Sequence, residues 1–353
     1  MIGETNMHST KRALKVASVL AATALVATAC ASSGAENAGN SNGVTPVTAV
    51  GGGASMSYTV PQLMNTWNIA KDEGLKLEYT AAGTSSTNMI AAVLSGDADF
   101  AFPASATALD SIQNGGDLVI VASGIKFAST LGLSTDAIKK TGVPADAPIR
   151  ERIAALKGMK IATSPEGSGN NALLRQIISA AGLDPDKDLK VIGVQDPSAI
   201  VGGIKQGRFD GGFYGAGVIE ANIASGEAEV WASTARGDVT ELVGDQIGMV
   251  MVTSKSTLQD RPELVNSMFD AVVATEQRIA KDPTAAGKTL KSEWFPNLDQ
   301  KVFDISWESA QHAYPKDGLF TKDQFDTLIK VYSGDGKTYS IDYDSAVYDR
   351  AEK

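Results

Sequence analysis

Four short stretches concentrate hydroxyl groups and glycine in this chain: Ala54-Ser55-Met56-Ser57-Tyr58, Gly83-Thr84-Ser85-Ser86, Pro103-Ala104-Ser105 and Ser164-Pro165-Glu166-Gly167-Ser168-Gly169-Asn170. Three of them lead directly into helical patterns. A helix start offers unpaired backbone N–H groups and about half a positive charge, enough to hold an anion without Arg or Lys. Ser57, Thr84, Ser85, Ser105, Ser168 and Asn170, with the backbone of Gly167, are therefore candidate ligand contacts. Ordinary N-capping is the competing role for each hydroxyl. Glu166 and Asp196 complicate an anion site. Either carboxylate would repel an anion, pair with a cationic or amine-bearing heterocycle, or simply face water. Tyr58 and Tyr214 have the flat apolar faces to stack on a planar guest.

What the chain lacks narrows the chemistry further. Its histidines are His8 and His312, and its one cysteine is Cys30. That scarcity leaves few routes to a zinc site or to a Cys–His or Ser–His nucleophile, which argues against most hydrolases. No catalytic set stands out and no cofactor is expected. With 31 basic and 41 acidic residues, the net charge of −10 should repel nucleic acid and anionic lipid.

The elements that must position the loops alternate between strand and helix. Thr45 to Val50 reads as a strand ended by Gly51-Gly52-Gly53, Pro61 to Lys71 as a helix, and Leu75 to Thr80 as a strand. Met89, Ile90, Val93 and Leu94 form one helical face, stopped at Gly96. Asp99 leads into Phe100-Ala101-Phe102, then come a helix from Ser105 to Gln113 and a strand from Leu118 to Ala122. After the proline-bearing stretch Thr141 to Pro148 the grammar restarts. It gives a strand at Lys160 to Ala162, a helix with the face Leu173, Leu174, Ile177 and Ile178, a strand at Leu189 to Val194 and a helix at Pro197 to Lys205. Asp210 then precedes Gly211-Gly212-Phe213-Tyr214. The segments Ser86 to Phe102 and Ser198 to Phe213 share one order: polar cap, apolar helix, Gly stop, Asp, strand. Each Asp can hold the turn that follows it. Alternation of this kind predicts an α/β fold with mostly parallel sheets covered on both faces, and the repetition favours two similar lobes. Trp67, Trp231, Trp294 and Trp307 are expected in the core.

The amino terminus carries a different message. Lys11, Arg12 and Lys15 precede the apolar run Ala13 to Val26, and Ala27-Thr28-Ala29 lead into Cys30. This is the pattern of an export signal, and the run is shorter than the ~20 residues a membrane span needs. With its cysteine the segment resembles a bacterial lipobox, although Ala27 stands where Leu is commonest. That resemblance implies cleavage after residues 1–29, lipid on Cys30, and an extracytoplasmic chain tethered to the cell membrane through the Gly/Ser/Asn-rich residues 30–43. Cleavage would take away three basic residues and one acidic one, moving the net charge to −12.

The segment from Leu156-Lys157-Gly158-Met159-Lys160-Ile161-Ala162 to Tyr214 carries a second resemblance. It includes Gly167-Ser168, Leu173-Leu174-Arg175, Ala181-Gly182-Leu183-Asp184-Pro185 and Gly207-Arg208-Phe209-Asp210. With Ile69-Ala70-Lys71-Asp72-Glu73-Gly74-Leu75, Leu94-Ser95-Gly96-Asp97-Ala98-Asp99-Phe100, Asp282-Pro283 and Ile341-Asp342-Tyr343-Asp344, the order resembles the solute-binding proteins of ABC importers for nitrate, sulfonates, taurine and thiamine-pyrimidine precursors. The resemblance implies a type-II periplasmic-binding-protein fold. Its two lobes, residues 44–124 with 248–353 and residues 125–247, would be joined by two crossovers acting as a hinge, and Ile247 to Val252 would be the returning strand. It places ligand contacts at the Gly167 to Asn170 turn. The implied function is capture of a small solute (sulfonate, nitrate-like anion or pyrimidine type) by lobe closure, with delivery by a monomer to an ABC permease and its ATPase. The alternatives are a receptor for an ion-driven (TRAP-type) transporter and a surface sensory lipoprotein. A pyrimidine-phosphate synthase, an enzyme that shares the fold, relies on cysteine and histidine chemistry that this chain lacks.

Overall fold

The computed structural model describes residues 44–83, 85–333, 338–348 and 350. The export signal, Cys30, the tether and Thr84 lie outside the described residues.

Among the described residues, ten strands form two five-stranded sheets. The first sheet contains β1 (Thr45–Gly51), β2 (Leu75–Ala81), β3 (Phe100–Ala101), β4 (Leu118–Lys126) and β10 (Ile247–Ser254), in the order β2-β1-β3-β10-β4. The second contains β5 (Ser129–Ser134), β6 (Lys160–Thr163), β7 (Lys190–Gly193), β8 (Gly211–Gly215) and β9 (Ala228–Ser233), in the order β7-β6-β8-β5-β9. Each is mixed. β10 runs antiparallel to β3 and β4, and β5 antiparallel to β8 and β9, while the other pairings are parallel. One strand in each sheet therefore opposes the other four, a single reversal in an otherwise parallel arrangement.

Burial follows from composition. β4 reads LVIVASGIK and is buried at every position but its last, as a strand covered on both faces must be. β2 lies at an edge, and its outward Lys76 and Glu78 pair with each other, which discourages further strand addition. In the second sheet Ile161 and Ala162 are successive residues of β6 but join different clusters. Period-two alternation puts Ile161 with Leu173, Leu174, Ile177 and Ile178 of the helix Gly169–Ala180, and Ala162 with Ile200 and Ile204 of the helix Pro197–Lys205. Burying each large aliphatic chain contributes about 1.5–3 kcal/mol. The helices Pro262–Lys281 and Pro283–Trp294 pack on the first sheet's core. The helix Gln300–Ala310 reaches the second half, where Ser309 Oγ lies 2.8 Å from Ser233 Oγ.

Two chain passages join the halves, from Lys126 to Ser129 and from Ser233 to Ile247. They are stitched where they pass. Phe127 N–H donates to Gln246 O at 2.9 Å. Thr234 Oγ1 donates to Phe127 O at 2.5 Å and accepts from Ser129 N–H at 2.8 Å.

Several elements differ from the sequence reading. The helix expected from Pro61 to Lys71 spans Thr59–Thr66, and a short 3₁₀ turn, Ile69–Lys71, follows. Asn68 interrupts it in the left-handed region at φ 55°, a conformation its short polar side chain tolerates. Leu94 is 45% exposed and does not join Met89, Ile90 and Val93 in the core. Of the four tryptophans, Trp231 and Trp307 are buried, while Trp67 and Trp294 are half-buried against the core edge. Asp99 and Asp210 do not secure the turns after them. Asp99 Oδ2 accepts from Thr48 N–H of β1, and Asp210 Oδ2 from Lys160 N–H of β6, so each ties its own strand to the neighbouring one.

Candidate functional site

A cleft of about 430 Å³ opens at the carboxyl ends of the parallel strands and is lined from both halves. Loops at this end of an open α/β sheet are the usual ligand site.

On the first half, β1 runs through Gly51-Gly52-Gly53 into the turn Met56–Tyr58, capped by Ser55, whose Oγ accepts from Ser57 N–H at 3.3 Å. Gly52 is required here, because a Cβ would sit 2.0 Å from the Tyr58 ring. Tyr58 is thereby laid against the backbone at the cleft wall, and burial raises its phenol pKa, so it stays a donor. Ser57 lines the cleft beside it.

The helix Ser105–Gln113 points its amino end at the cleft. Ala104 gives it no side-chain cap, so the first-turn N–H groups lack the partner that a serine or aspartate would supply. Ala106, Thr107 and Asp110 share its cleft face at helical spacing. Asp110 Oδ1 accepts from Tyr339 O–H at 2.5 Å. Burial, and next the Asp110 carboxylate, raise the Tyr339 pKa, and burial raises that of Tyr332.

On the second half, β6 ends in the turn Ser164 to Asn170. Ser168 caps the helix Gly169–Ala180, accepting from Asn171 N–H at 3.4 Å, and touches Ser164 through paired hydroxyls. Asn171 Nδ2 fastens the turn to Ser164 O at 2.9 Å, and Asn170 Oδ1 accepts from Ser129 Oγ at 2.7 Å. Gly167 turns the chain at φ 82°. Tyr214 on β8 faces the cleft half-buried, with its pKa raised by burial. Gly169 meets the first half at Tyr332 and the crossing passage at Phe127: a Cβ there would lie 3.0 Å from Tyr332 Oη and 3.1 Å from the Phe127 ring.

The structure thus brings Ser57, Tyr58, Gly167, Ser168, Asn170 and Tyr214 to one cavity. It does not bring the other described candidates, Ser85, Ser105, Glu166 and Asp196, there. Ser105 is fully buried, and its Oγ donates to Ile247 O at 2.6 Å, pinning the returning strand instead of facing the cleft. Ser85 caps the helix Ser86–Ser95 through Asn88 N–H, and Ser86 takes the cleft position. Glu166 is exposed and outside the lining. Asp196 caps the helix Pro197–Lys205 at the surface. The Ser198 hydroxyl and then its N–H, both donating to this carboxylate, lower the Asp196 pKa. Sequence reasoning missed Asp110, Phe127, Tyr332 and Tyr339. Asp110 was findable, four residues after Ala106 and three after Thr107 on the same helix face. The two tyrosines carry no local signal, because they arrive from the chain's far end. Among the described residues, no group of three or more His, Cys, Asp or Glu converges to hold a metal ion.

Comparison with known proteins supplies the context. A family model described as NMT1/THI5 like matches residues 71–286. A search of curated proteins finds no match. Among solved structures, the chain is similar to a putative periplasmic sulfonate-binding protein from Methylobacillus flagellatus KT, at 15% identity and TM-score 0.66, covering 87% of this chain and 92% of that one. It is similar to the alkanesulfonate-binding protein SsuA from Xanthomonas axonopodis pv. citri bound to MOPS, at 17% identity and TM-score 0.57, covering 82% and 90%. A nitrate-binding protein, NrtA from Synechocystis PCC 6803, shares 17% identity and TM-score 0.53 over 74% and 70%. These similarities identify the fold as the two-lobed type-II periplasmic-binding arrangement that the sequence resemblance implied.

Proposed function

The chain belongs to the NMT1/THI5-like family, and on that premise we propose that it is an extracytoplasmic receptor whose two halves close on one small organic solute and deliver it to an ABC permease. The observation that carries this reading is the cleft itself, lined at strand carboxyl ends by Ser57 and Tyr58 from one half and by Ser168, Asn170 and Tyr214 from the other. The lobes are residues 44–124 with 248–353, and residues 125–247, and the stitched passages around Phe127 and Thr234 are the hinge. Hinge closure around a ligand is the motion such a pair of connectors allows. The chain makes and breaks no bonds in the solute. It works as a monomer, held to the membrane by lipid on Cys30. Two acyl chains hold firmly where one is marginal, at about 0.8 kcal/mol per buried CH₂.

Titration calorimetry of the purified protein against sulfonates, nitrate and pyrimidines tests the central claim. The expected result is one solute bound with Kd on the order of micromolar, about −8 kcal/mol, with X-ray scattering reporting compaction. No binding and no compaction across the panel overturns it. Ser168→Trp should abolish binding while the protein stays folded, its stability lowered by about 1 kcal/mol through the lost helix cap, and unchanged affinity would remove that turn from the site. Cys30→Ser should shift the protein from the membrane fraction to the soluble fraction. Retention in the membrane would overturn the lipid anchor.

A further inference from the structure

The helix Gln300–Ala310 serves both halves. Phe303, Trp307 and Ala310, at helical spacing, are buried in the core of the first sheet. Lys301, Glu308 and Ser309 share another face of the helix, and each reaches the second half. Lys301 Nζ donates to the carbonyl of Ala224, the last residue of the helix Glu220–Ala224. Glu308 Oε1 lies 3.5 Å from Arg236 Nη2, and the buried hydroxyls of Ser309 and Ser233 meet at 2.8 Å. These contacts coexist with a cleft that stands open over about 430 Å³. The two ends of the face differ in what a hinge motion asks of them. Ser233 ends β9 where the second passage begins, and Ala235, just beyond it, is packed in the first core, so Ser309 sits at the pivot. Lys301 comes eight residues before Ser309, about 12 Å away along the helix. A rotation of about 10° about the passages moves a point that far out by about 2 Å, enough to break a hydrogen bond there while the serine pair survives.

We propose that this helix is a brace that holds the halves apart, and that Lys301 sets how readily they close and hence how tightly the solute is held. This rests on the receptor reading and names the regulation of that same cleft. When the closed form is the one that holds the solute, apparent affinity scales with the fraction of molecules already closed. Contacts made only in the open form lower that fraction without touching the solute. Lys301, Glu308 and Ser309 all lie outside the cleft lining, so their influence on affinity runs through the angle between the halves. The carbonyl that Lys301 caps is among the last of its helix, which have no intrahelical donor, so opening this contact leaves it to water. The Glu308–Arg236 pair is more weakly coupled, because both side chains are largely exposed and screened. The serine pair stays made in both forms and contributes to stability alone.

The test reads the opening itself and needs no solute. The full chain carrying Cys30→Ser, Lys76→Cys and Lys190→Cys takes one dye on β2 and one on β7, the sheet edges that lie away from the passages, and single-molecule energy transfer gives the distribution of distances between them. Lys301→Met keeps the apolar stem and removes the donor. It should raise the closed population about fivefold, and Lys301→Arg, which keeps a donor, should restore the wild-type distribution. Glu308→Gln should shift the population by less than about twofold. Ser309→Ala should lower the melting temperature and leave the distribution unchanged. Calorimetry with sulfonates, nitrate and pyrimidines should then show Lys301→Met binding its solute about fivefold more tightly than wild type. A distribution in Lys301→Met that is unchanged, or shifted towards longer distances, overturns the brace whatever the solutes do. A shift towards closure in a protein that binds none of these solutes leaves the brace standing and overturns the receptor reading.

Discussion

Glu220, in the half built on the second sheet, accepts from Thr130 Oγ1 at 2.6 Å and from Gly217 N–H at 2.8 Å. Glu276, in the half built on the first, is just as buried, but it accepts from Gly318 N–H at 3.1 Å through one oxygen, and its Oε1 has no partner among the described residues. Desolvation raises the pKa of both, and it does so well above the ordinary value for Glu276, where few hydrogen bonds oppose it. The contrast teaches what each acid is for. Glu220 organises the turn that follows Tyr214 and so supports a cleft wall. Glu276 holds Gly318, whose carbonyl in turn accepts from Ser123 N–H of β4, and it leaves a carboxyl oxygen unsatisfied.

The sharpest way to break this comparison is a pair of isosteric changes with opposite signs. Gly217 N–H can only donate, whereas the Thr130 hydroxyl can turn to accept, so Glu220→Gln keeps both contacts once that hydroxyl reorients. It should cost about 1 kcal/mol in urea unfolding. Glu276→Gln removes a poorly solvated acid and should stabilise by about 1–3 kcal/mol at pH 7. The sign follows from linkage. The folded pKa of Glu276 lies above its ordinary 4.5, so the folded state holds a proton that the unfolded chain releases first. Stability is therefore complete below about pH 4.5 and falls as pH rises toward the folded value, by about 1.4 kcal/mol per unit. Glu276→Gln should flatten that slope. A variant with the wild-type slope would show that Glu276 is ionised in the folded protein.

The strand-tying aspartates sharpen the comparison at smaller amplitude. Asp99 accepts from Thr48 N–H at 2.8 Å and Thr48 Oγ1 at 3.0 Å, and it also pairs with Arg261. Asp210 makes the single bond to Lys160 N–H at 2.9 Å. Asp99→Ala should cost about 2 kcal/mol and Asp210→Ala about 1 kcal/mol. Equal losses would mean that Arg261 and the Thr48 hydroxyl contribute nothing. The smallest expected effect is Ser105→Ala, about 1 kcal/mol from its bond to Ile247 O, with solute affinity retained. Loss of affinity at unchanged stability would return Ser105 to the binding surface.

How much of this was legible can be judged from particular segments. The helices Ser105–Gln113 and Pro197–Lys205 were readable, because Pro103 shortly before the first and Pro197 at the start of the second mark where a helix can begin, and Gly115 and Gly207 follow their ends. The repeated Asp was visible as well. Its partner was not, since Thr48 and Lys160 lie 51 and 50 residues away. β5 escaped because only Phe127 and Ala128 separate it from β4, with no Gly or Pro between them to mark a boundary. Local periodicity also could not bring Tyr332 or Tyr339 to the cleft, because a helix face says that it is buried and never against what.

Phe127 belongs to both the bridge and the cavity. Its backbone joins the two passages, and its ring touches the space a guest would fill. If the halves close as proposed, filling of the cleft and bending of the bridge would both bear on this one residue, much as a bookmark pressed against the spine senses whether the covers are open. A transporter that inspects only the outer covers would still learn whether the page inside is taken.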